Sequence, residues 1–330
     1  MPSQEKSKKK KKPKPKATPS AEPQKELVPE EDIDTMLAEL GVDSTAASSA
    51  SQNTWELLET DPKFFDSEFE VKRLFGSEVI EKKSKGRGPV QIGRRRRTTL
   101  VKPHESWPPC GRDILMVKGE PDAKGCNTFA FQHSRAYQVP HCRQKPLQAL
   151  QRDFFAAVQT HDPEAISFFS RQHPFHVDSL MQLSYLFESQ GEYTAAHDLV
   201  SRCVFVFECG FHSAFRYTQA NCRMNFEVVE NQSFFRCLYR HTQLLGKKSC
   251  TRTALEFCKF LLSLDSNDPT CILFAIDYYA LRSREYAFLL RFLAEFHQRF
   301  YLPNILYNAA LAKFHLESSA SSKSSASDEK

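Results

Sequence analysis

Residues that can bind zinc occur between positions 126 and 142, the first place in this sequence where chemistry could be located. They are Cys126, His133, His141 and Cys142. Protein zinc sites use close pairs of Cys or His ligands, each pair separated by about two to five residues. The spacing here is looser than that, so the sequence does not predict a metal site.

The familiar sequence motifs of enzymes are absent from this chain. It contains no G-x-G-x-x-G, P-loop, H-E-x-x-H or nucleophile-elbow pattern. His173 and His176 stand close together, but they precede a predicted helix, where capping and packing are the expected roles. We therefore predict a non-enzymatic scaffold protein that needs no cofactor.

The cysteines indicate the compartment in which the protein works. Ten Cys are present, none in a C-x-x-C pair, and several lie within apolar helical stripes: Cys203, Cys237, Cys258 and Cys271. This distribution is typical of buried free thiols in a reducing compartment. The sequence also has no bilayer-length apolar run and no apolar segment behind its lysine-rich start. It thus favours the cytosol or the nucleus, without a membrane partner.

Two basic segments could contact phosphate. Residues 82–102 carry nine Lys or Arg and no acid, including the consecutive residues Arg94, Arg95, Arg96 and Arg97. Such a run predicts salt-sensitive, sequence-independent affinity for RNA or DNA, with nuclear import as the alternative. Eight lysines lie between positions 6 and 16. This segment could bind nucleic acid, direct nuclear import or be a solvated tail without a partner.

A short amphipathic helix is predicted within the acidic stretch 22–43, which holds eight acids and one lysine. Its apolar face consists of Ile33, Met36, Leu37 and Leu40, and Gly41 ends it. A lone helix of this kind in a disordered region is often a motif that folds into a partner's groove. The alternative is a helix that forms only transiently. A second aromatic segment, Trp55 to Phe75, either docks on a partner or packs back on the main domain.

The elements that must position these segments are helices. The stretch from His176 to Glu208 predicts a helical hairpin: Leu180, Leu183 and Phe187 form one stripe, and Gly191 ends the first helix. The second helix carries a stripe of Tyr193, Ala196, Val200 and Cys203. A glycine followed by an aromatic and then a small residue is typical of tetratricopeptide hairpins, and Glu285–Tyr286–Ala287 opens a later helix in a way that echoes Glu192–Tyr193. The alternative is an ordinary helical hairpin in a globular domain.

Further elements complete the prediction. Residues 114–117 and 128–131 predict one β-hairpin, Asp162–Pro163 starts a helix, and residues 211–224 and 303–316 are predicted helices. The fold class is mostly α: a tetratricopeptide-like α-solenoid, preceded by a small β-hairpin and a long disordered N-terminal region. The expected units are a disordered region at 1–105, the hairpin segment at 106–144, a helical repeat domain at 145–316 and a disordered serine-rich tail at 317–330.

Several longer motifs resemble one protein family. They are the DIDTMLAEL helix, Lys72 to Gly76, the arginine run before Trp107–Pro108, Phe129 to Gln138, HVDSL at His176, GFHSAF at Gly210 and the eighteen residues that begin at Arg252. Together they are similar to the transcription factor 25 family and its fungal counterpart, subunit 1 of the ribosome quality control complex. Two stretches depart from the family: residues 108–117, and the ending LESSASSKSSASDEK, where members continue with more repeats. We expect a C-terminally shortened form.

The resemblance implies a function. It implies a non-enzymatic subunit of the 60S-associated surveillance machinery, working with a Listerin-type ubiquitin ligase and the valosin-containing AAA ATPase. The helical body would be an adaptor that supports degradative ubiquitin chains on stalled nascent chains. The older family name implies nuclear transcriptional repression, which is the alternative function.

Overall fold

The structure is a computed structural model that describes residues 56–76, 98–104, 106–108, 110, 114–122, 125–133, 147–296 and 302–327. Its helices are α1 (Ser67–Phe75), α2 (Leu147–Gln159), α3 (Pro163–Gln172), α4 (Val177–Ser189), α5 (Tyr193–Cys209), α6 (Val229–Lys247), α7 (Thr251–Leu264), α8 (Leu273–Arg282), α9 (Tyr286–Phe296) and α10 (Pro303–Ser327). Its strands are β1 (Ile114–Lys118), β2 (Asn127–His133) and β3 (Cys222–Arg223).

The helices form one body in which each helix from α2 to α10 packs against the next. Helix α7 lies at its centre, because every residue from Thr253 to Leu264 is buried. The predicted mostly helical class with a small β element is therefore confirmed. A superhelical tetratricopeptide array stays a prediction.

The hairpin of α4 and α5 follows the local signals in the sequence. The His176 side chain caps α4 by accepting a hydrogen bond from the Ser179 N–H (3.2 Å). Gly191 has φ of +82°, a left-handed conformation that favours glycine at a helix end. Ala196 and Val200 are buried where the helices meet. Tyr193, which the sequence placed in the same apolar stripe, is 51% exposed and does not belong to the core.

A three-stranded sheet packs on the helices α5, α6 and α7. Strands β1 and β2 pair antiparallel with Met116 opposite Phe131, which agrees with the predicted hairpin, and β3 adds to β2 in parallel. Gly210, at the end of α5, allows close approach, because a Cβ there would lie 2.3 Å from the Ile114 carbonyl oxygen. The Gly210 carbonyl accepts a hydrogen bond from the Met116 N–H (2.9 Å), so the hairpin is fixed directly to α5.

The predicted helix over residues 211–224 is wrong. The structure has turns there, a short 3-10 helix at Tyr217–Gln219, and β3. Apart from local turns, the backbone of this segment bonds to other elements: the Asn127 N–H donates to the Asn221 carbonyl (3.2 Å), and the Met224 N–H donates to the Leu264 carbonyl (2.9 Å). Tertiary pairing therefore outweighs local helix propensity.

The N-terminal third contains ordered, buried residues within the region predicted to be disordered. We call the described residues between 56 and 108 the N-terminal arm. Leu58, Phe65 and Leu100 of the arm are almost completely buried in the main core. The sequence left open whether the aromatic segment docks on a partner or packs on the main domain. Its described part packs on the body.

Two smaller expectations also differ from the structure. Helix α10 continues to Ser327, ten residues past the expected start of a disordered tail at 317. Cys271 is exposed and precedes α8, whereas Cys203, Cys237 and Cys258 are buried as expected. None of the described cysteines forms a disulfide bond. No described helix combines the length and the apolar character that a bilayer crossing requires.

Candidate partner-binding groove

The residues that the sequence singled out for binding lie outside the described residues. They are Ile33, Met36, Leu37 and Leu40 for a partner, and Arg94, Arg95, Arg96 and Arg97 for phosphate. The same is true of His141 and Cys142 in the loose zinc cluster. Within the described part of the chain, no group of three or more metal-binding side chains is found. These predictions remain untested, and the described structure offers a different candidate site.

That site is a groove of about 1260 Å³ between the N-terminal arm and the helices α5 and α6. Arm residues 62–69 and 98–104, with Trp107, form one wall. The other wall comes from residues 193–201 of α5 and from the C-terminal end of α6 with Lys248. Its volume exceeds the roughly 300–1,000 Å³ of small-molecule pockets, so it fits a polypeptide segment better.

Two neighbouring imidazoles, His197 and His241, line the groove, with their ring centroids 5.2 Å apart. Burial, together with the smaller effect of the nearby Lys248 charge, lowers the pKa of His197 to about 4. Burial also lowers the pKa of His241 well below its usual value. Both rings are therefore neutral at physiological pH. In the described structure, His197 Nε2 and His241 Nδ1 are both buried and have no hydrogen-bond partner.

The Ser201 hydroxyl lies 3.4 Å from His197 Nδ1, one helical turn away on α5. A Ser–His pair becomes a nucleophile when a third group orients the imidazole through its other nitrogen. His197 Nε2 has no such partner among the described residues.

The rim of the groove is polar and of mixed charge. Four lysines and three carboxylates line it: Lys63, Lys102, Lys247, Lys248, Asp66, Glu68 and Asp198. Some of these charges are already paired, because Lys102 contacts Asp66 (2.5 Å) and Glu68 (3.5 Å). Lys247 lies 5.2 Å from the Tyr193 ring centroid, so this exposed tyrosine helps to form the rim.

The arm is held against the body by buried polar contacts. The Glu70 carboxylate accepts the N–H groups of Arg252 and Thr253 (both 2.8 Å) and so caps α7, which has no side-chain cap of its own. The Trp107 indole N–H donates to the Asp198 carboxylate (3.0 Å). The arm is therefore an integral wall of the groove.

A second carboxylate, that of Glu208 at the end of α5, binds residues 99–101 of the arm. It accepts N–H groups from Thr99, Leu100 (3.0 Å) and Val101 (3.3 Å). Burial raises the pKa of Glu208, although these hydrogen bonds lower it in part. The carboxylate thus depends on the arm for its hydrogen bonds.

Comparison with known proteins identifies the family. Residues 129–330 match the family described as Transcriptional repressor TCF25. This chain belongs to the TCF25 family.

Relatives in the TCF25 family are considerably longer than this chain. The human protein named Ribosome quality control complex subunit TCF25 is 35% identical over 294 residues, which cover 87% of this chain and 42% of the human protein. Ribosome quality control complex subunit 1 of Schizosaccharomyces pombe is 35% identical over 266 residues, 79% of this chain and 39% of that protein. The chain thus spans about two fifths of these relatives. No solved structure matches it.

The motifs that carry the TCF25-family resemblance have structural roles here. His176 of HVDSL caps α4, Gly210 of GFHSAF allows the contact with β1, and the motif that begins at Arg252 forms the buried helix α7. Sequence reasoning missed the histidine pair and both anchoring carboxylates. Their partners are distant in sequence, as with Glu70 and Thr253 (183 residues apart), so no local spacing could reveal them.

Proposed function

We propose that this protein is a non-enzymatic adaptor subunit of the ribosome quality control complex. The observation that carries the proposal is 35% identity over most of the chain to proteins named as subunits of that complex. The groove supports it, because a site of this size between an arm and a helical body suits a polypeptide partner.

The finer part of the proposal follows from the family resemblance. The chain would act on the 60S subunit in the cytosol, with a Listerin-type ubiquitin ligase and the valosin-containing AAA ATPase, and would support degradative ubiquitin chains on stalled nascent chains. Arg94 to Arg97 would contact rRNA phosphates without reading sequence.

The first test is capture of the tagged chain from lysate, with and without RNase, followed by mass spectrometry. We expect 60S proteins, the ligase and the ATPase. Recovery of none of them would contradict the proposal.

A second test concerns the arginine run. Four phosphate contacts predict that 60S co-sedimentation weakens by about 100-fold between 50 and 200 mM salt, and that replacing Arg94 to Arg97 with Ser removes most of this salt dependence. Replacing Lys8 to Lys11 with Ser removes the same number of charges and is the matched comparison. If both variants show the same salt dependence of co-sedimentation, the total charge and not the arginine run is responsible for it.

A third test concerns the groove. Thr194 is exposed and lines it, so Thr194→Trp should fill the site without disturbing the core. Gln182→Trp, on an exposed face of α4 away from the groove, is the control. We expect loss of at least one captured partner with Thr194→Trp only. Identical partner sets for the two variants would show that the groove does not bind them.

The second candidate function is nuclear transcriptional repression, which the family description favours. In a reporter assay with DNA-tethered protein, repression that persists when Arg94 to Arg97 are replaced would support action through protein partners. Absence of repression would eliminate this candidate.

A further inference from the structure

The segment Thr99 to Val101 joins the arginine run to the groove wall. Thr99 is exposed, whereas Leu100 beside it is almost completely buried. Three consecutive backbone N–H groups, from Thr99, Leu100 and Val101, donate to the single carboxylate of Glu208. This carboxylate is the only acceptor that we find for these three groups in the described residues.

The Thr99 hydroxyl group is also part of this contact. Its oxygen lies 3.2 Å from Glu208 Oε1 and is hydrogen-bonded to the Tyr217 hydroxyl. Burial and the charge of Glu208 raise the pKa of Tyr217 to about 12, although its hydrogen bond to Thr99 lowers it in part, so the phenol is neutral. The Thr99 oxygen therefore faces one carboxylate and one neutral phenol.

The sequence around Thr99 has a pattern that favours a particular class of enzyme. Arg96 and Arg97 stand three and two residues before Thr99, and the apolar Leu100 follows it. Protein kinases that prefer arginine at these positions bind the guanidinium groups with acidic residues and select a Ser or Thr acceptor by charge pattern. Thr98 has a similar arginine spacing but lacks the apolar residue after it.

We propose that Thr99 is a phosphorylation site for an arginine-directed protein kinase, and that phosphorylation releases residues 99–101 from Glu208. The Thr99 oxygen forms a bond to the γ-phosphorus of ATP while the bond from that phosphorus to the β–γ bridging oxygen breaks. ADP leaves, and the hydroxyl proton passes to the catalytic carboxylate of the kinase.

The phosphate cannot be accommodated where the hydroxyl now lies. It carries a charge of about −1.5 to −2, and a phosphate placed beside a carboxylate disrupts structure by repulsion and by the cost of desolvation. Glu208 Oε1 lies 3.2 Å from the oxygen that would be modified, so the two negative charges would be in direct contact. The segment is released, and one wall of the groove opens.

The kinase reaches Thr99 by local opening, because Leu100 is buried in the closed arm. Phosphorylation then stabilises the open arm, and dephosphorylation allows it to close. Weakening the contact should therefore speed modification. Glu208→Gln removes the charge but keeps one carbonyl acceptor, and we expect it to be phosphorylated several-fold faster.

The experiment uses the full chain with the catalytic subunit of the cyclic-AMP-dependent kinase and ATP. Phosphopeptide mapping should find the phosphate on Thr99. Thr98→Ala, the matched control, should retain it, and Thr99→Ala should lose it. Modification at Thr98 alone, or at neither threonine, would overturn the proposed site.

Hydrogen exchange tests the release. In the phosphorylated chain, amides in a peptide that covers residues 99–101 should exchange at least ten-fold faster, whereas those of α7 should not change. Unmodified Thr99→Ala should keep its protection, because the backbone donors remain. If the exchange rate of residues 99–101 did not change after full phosphorylation of Thr99, the proposed release would be wrong. If phosphorylation increased exchange as much in Glu208→Gln as in the parent chain, repulsion by the Glu208 charge would not be its cause.

Discussion

At the scale of single residues, Glu70 shows how one side chain joins two distant parts of the chain. Glu70 is 3% exposed, and its carboxylate accepts two N–H groups at the start of α7, whose own flanking residue Cys250 provides no side-chain cap. The first N–H groups of a helix have no partner within that helix, and a negative charge there also interacts favourably with the helix dipole.

We expect Glu70→Ala to lower the free energy of unfolding by about 1–2 kcal/mol, because it removes the cap of α7. Glu70→Gln, which keeps one acceptor, should lose less. Glu68→Ala changes an exposed carboxylate on the same helix and should stay within about 0.5 kcal/mol of the parent. Urea denaturation measures all three, and equal effects of Glu70→Ala and Glu68→Ala would contradict the cap.

The buried histidines make stability depend on pH. The pKa of His176 is lowered from 6.5 to about 4, mainly by burial, which outweighs the opposing effect of the Asp178 charge and is assisted by His173 and His133. As the pH falls below 6.5, the unfolded chain takes up a proton that the folded chain still excludes. Stability attributable to His176 is therefore lost as the pH falls from 6.5 to about 4.

We expect His176→Asn to reduce this loss, because Asn can cap α4 but does not titrate. Its stability at pH 7.5 should remain close to that of the parent, and its decline between pH 6.5 and 4 should be shallower. The measurement is the urea midpoint at a series of pH values. Parallel curves for the two proteins would show that His176 does not contribute.

At the scale of elements, the α4–α5 hairpin shows which helix faces decide stability. Leu183 is buried in α4, whereas Gln182 beside it is exposed. Burying an unpaired charge costs several kcal/mol, while a polar change on a solvated face costs little.

Leu183→Asp should therefore abolish the folded body, with loss of cooperative thermal unfolding and of soluble yield. Gln182→Asp, one residue away, should leave both unchanged apart from small effects. Circular dichroism with a thermal ramp measures this. A soluble, fully helical Leu183→Asp protein would contradict the packing of α4.

At the scale of the whole molecule, the arm belongs to the same core as the helices. Phe65 packs on Phe257 of α7 with ring centroids 4.9 Å apart, and the Lys259 ammonium group donates to the Glu59 carbonyl (2.7 Å). Glu256, fully buried, pairs with Lys259 and accepts the Asp61 N–H (3.3 Å). Truncating one partner of such a buried network leaves an uncompensated charge.

We expect the arm to stay bound even when the chain is cut. With a specific protease site inserted between Gly86 and Arg87, the N-terminal fragment should co-elute with the body after cleavage, because residues 56–76 make their contacts independently of that connection. Phe65→Ala together with Glu70→Ala should separate the fragments in size-exclusion chromatography. Separation of the fragments without these substitutions would show that covalent connection holds the arm.

The sequence by itself determined the helical body. Local signals act between neighbouring residues, so the cap at Asp162, the stop at Gly191, the start of α10 at Pro303 and the burial of Leu180 could all be read from spacing and residue type. The β-hairpin and the family also followed from the sequence, because turn residues and long motifs are local too.

Only the tertiary structure decided the rest. Residues 222–223 form strand β3 because β2 supplies the pairing partners, and Tyr193 is exposed because the packing of α5 leaves it at the groove rim. The arm folds because Phe65 and Glu70 find partners about 180 to 190 residues away. The energy of such contacts depends on which distant groups the chain brings together, and no local pattern contains that information.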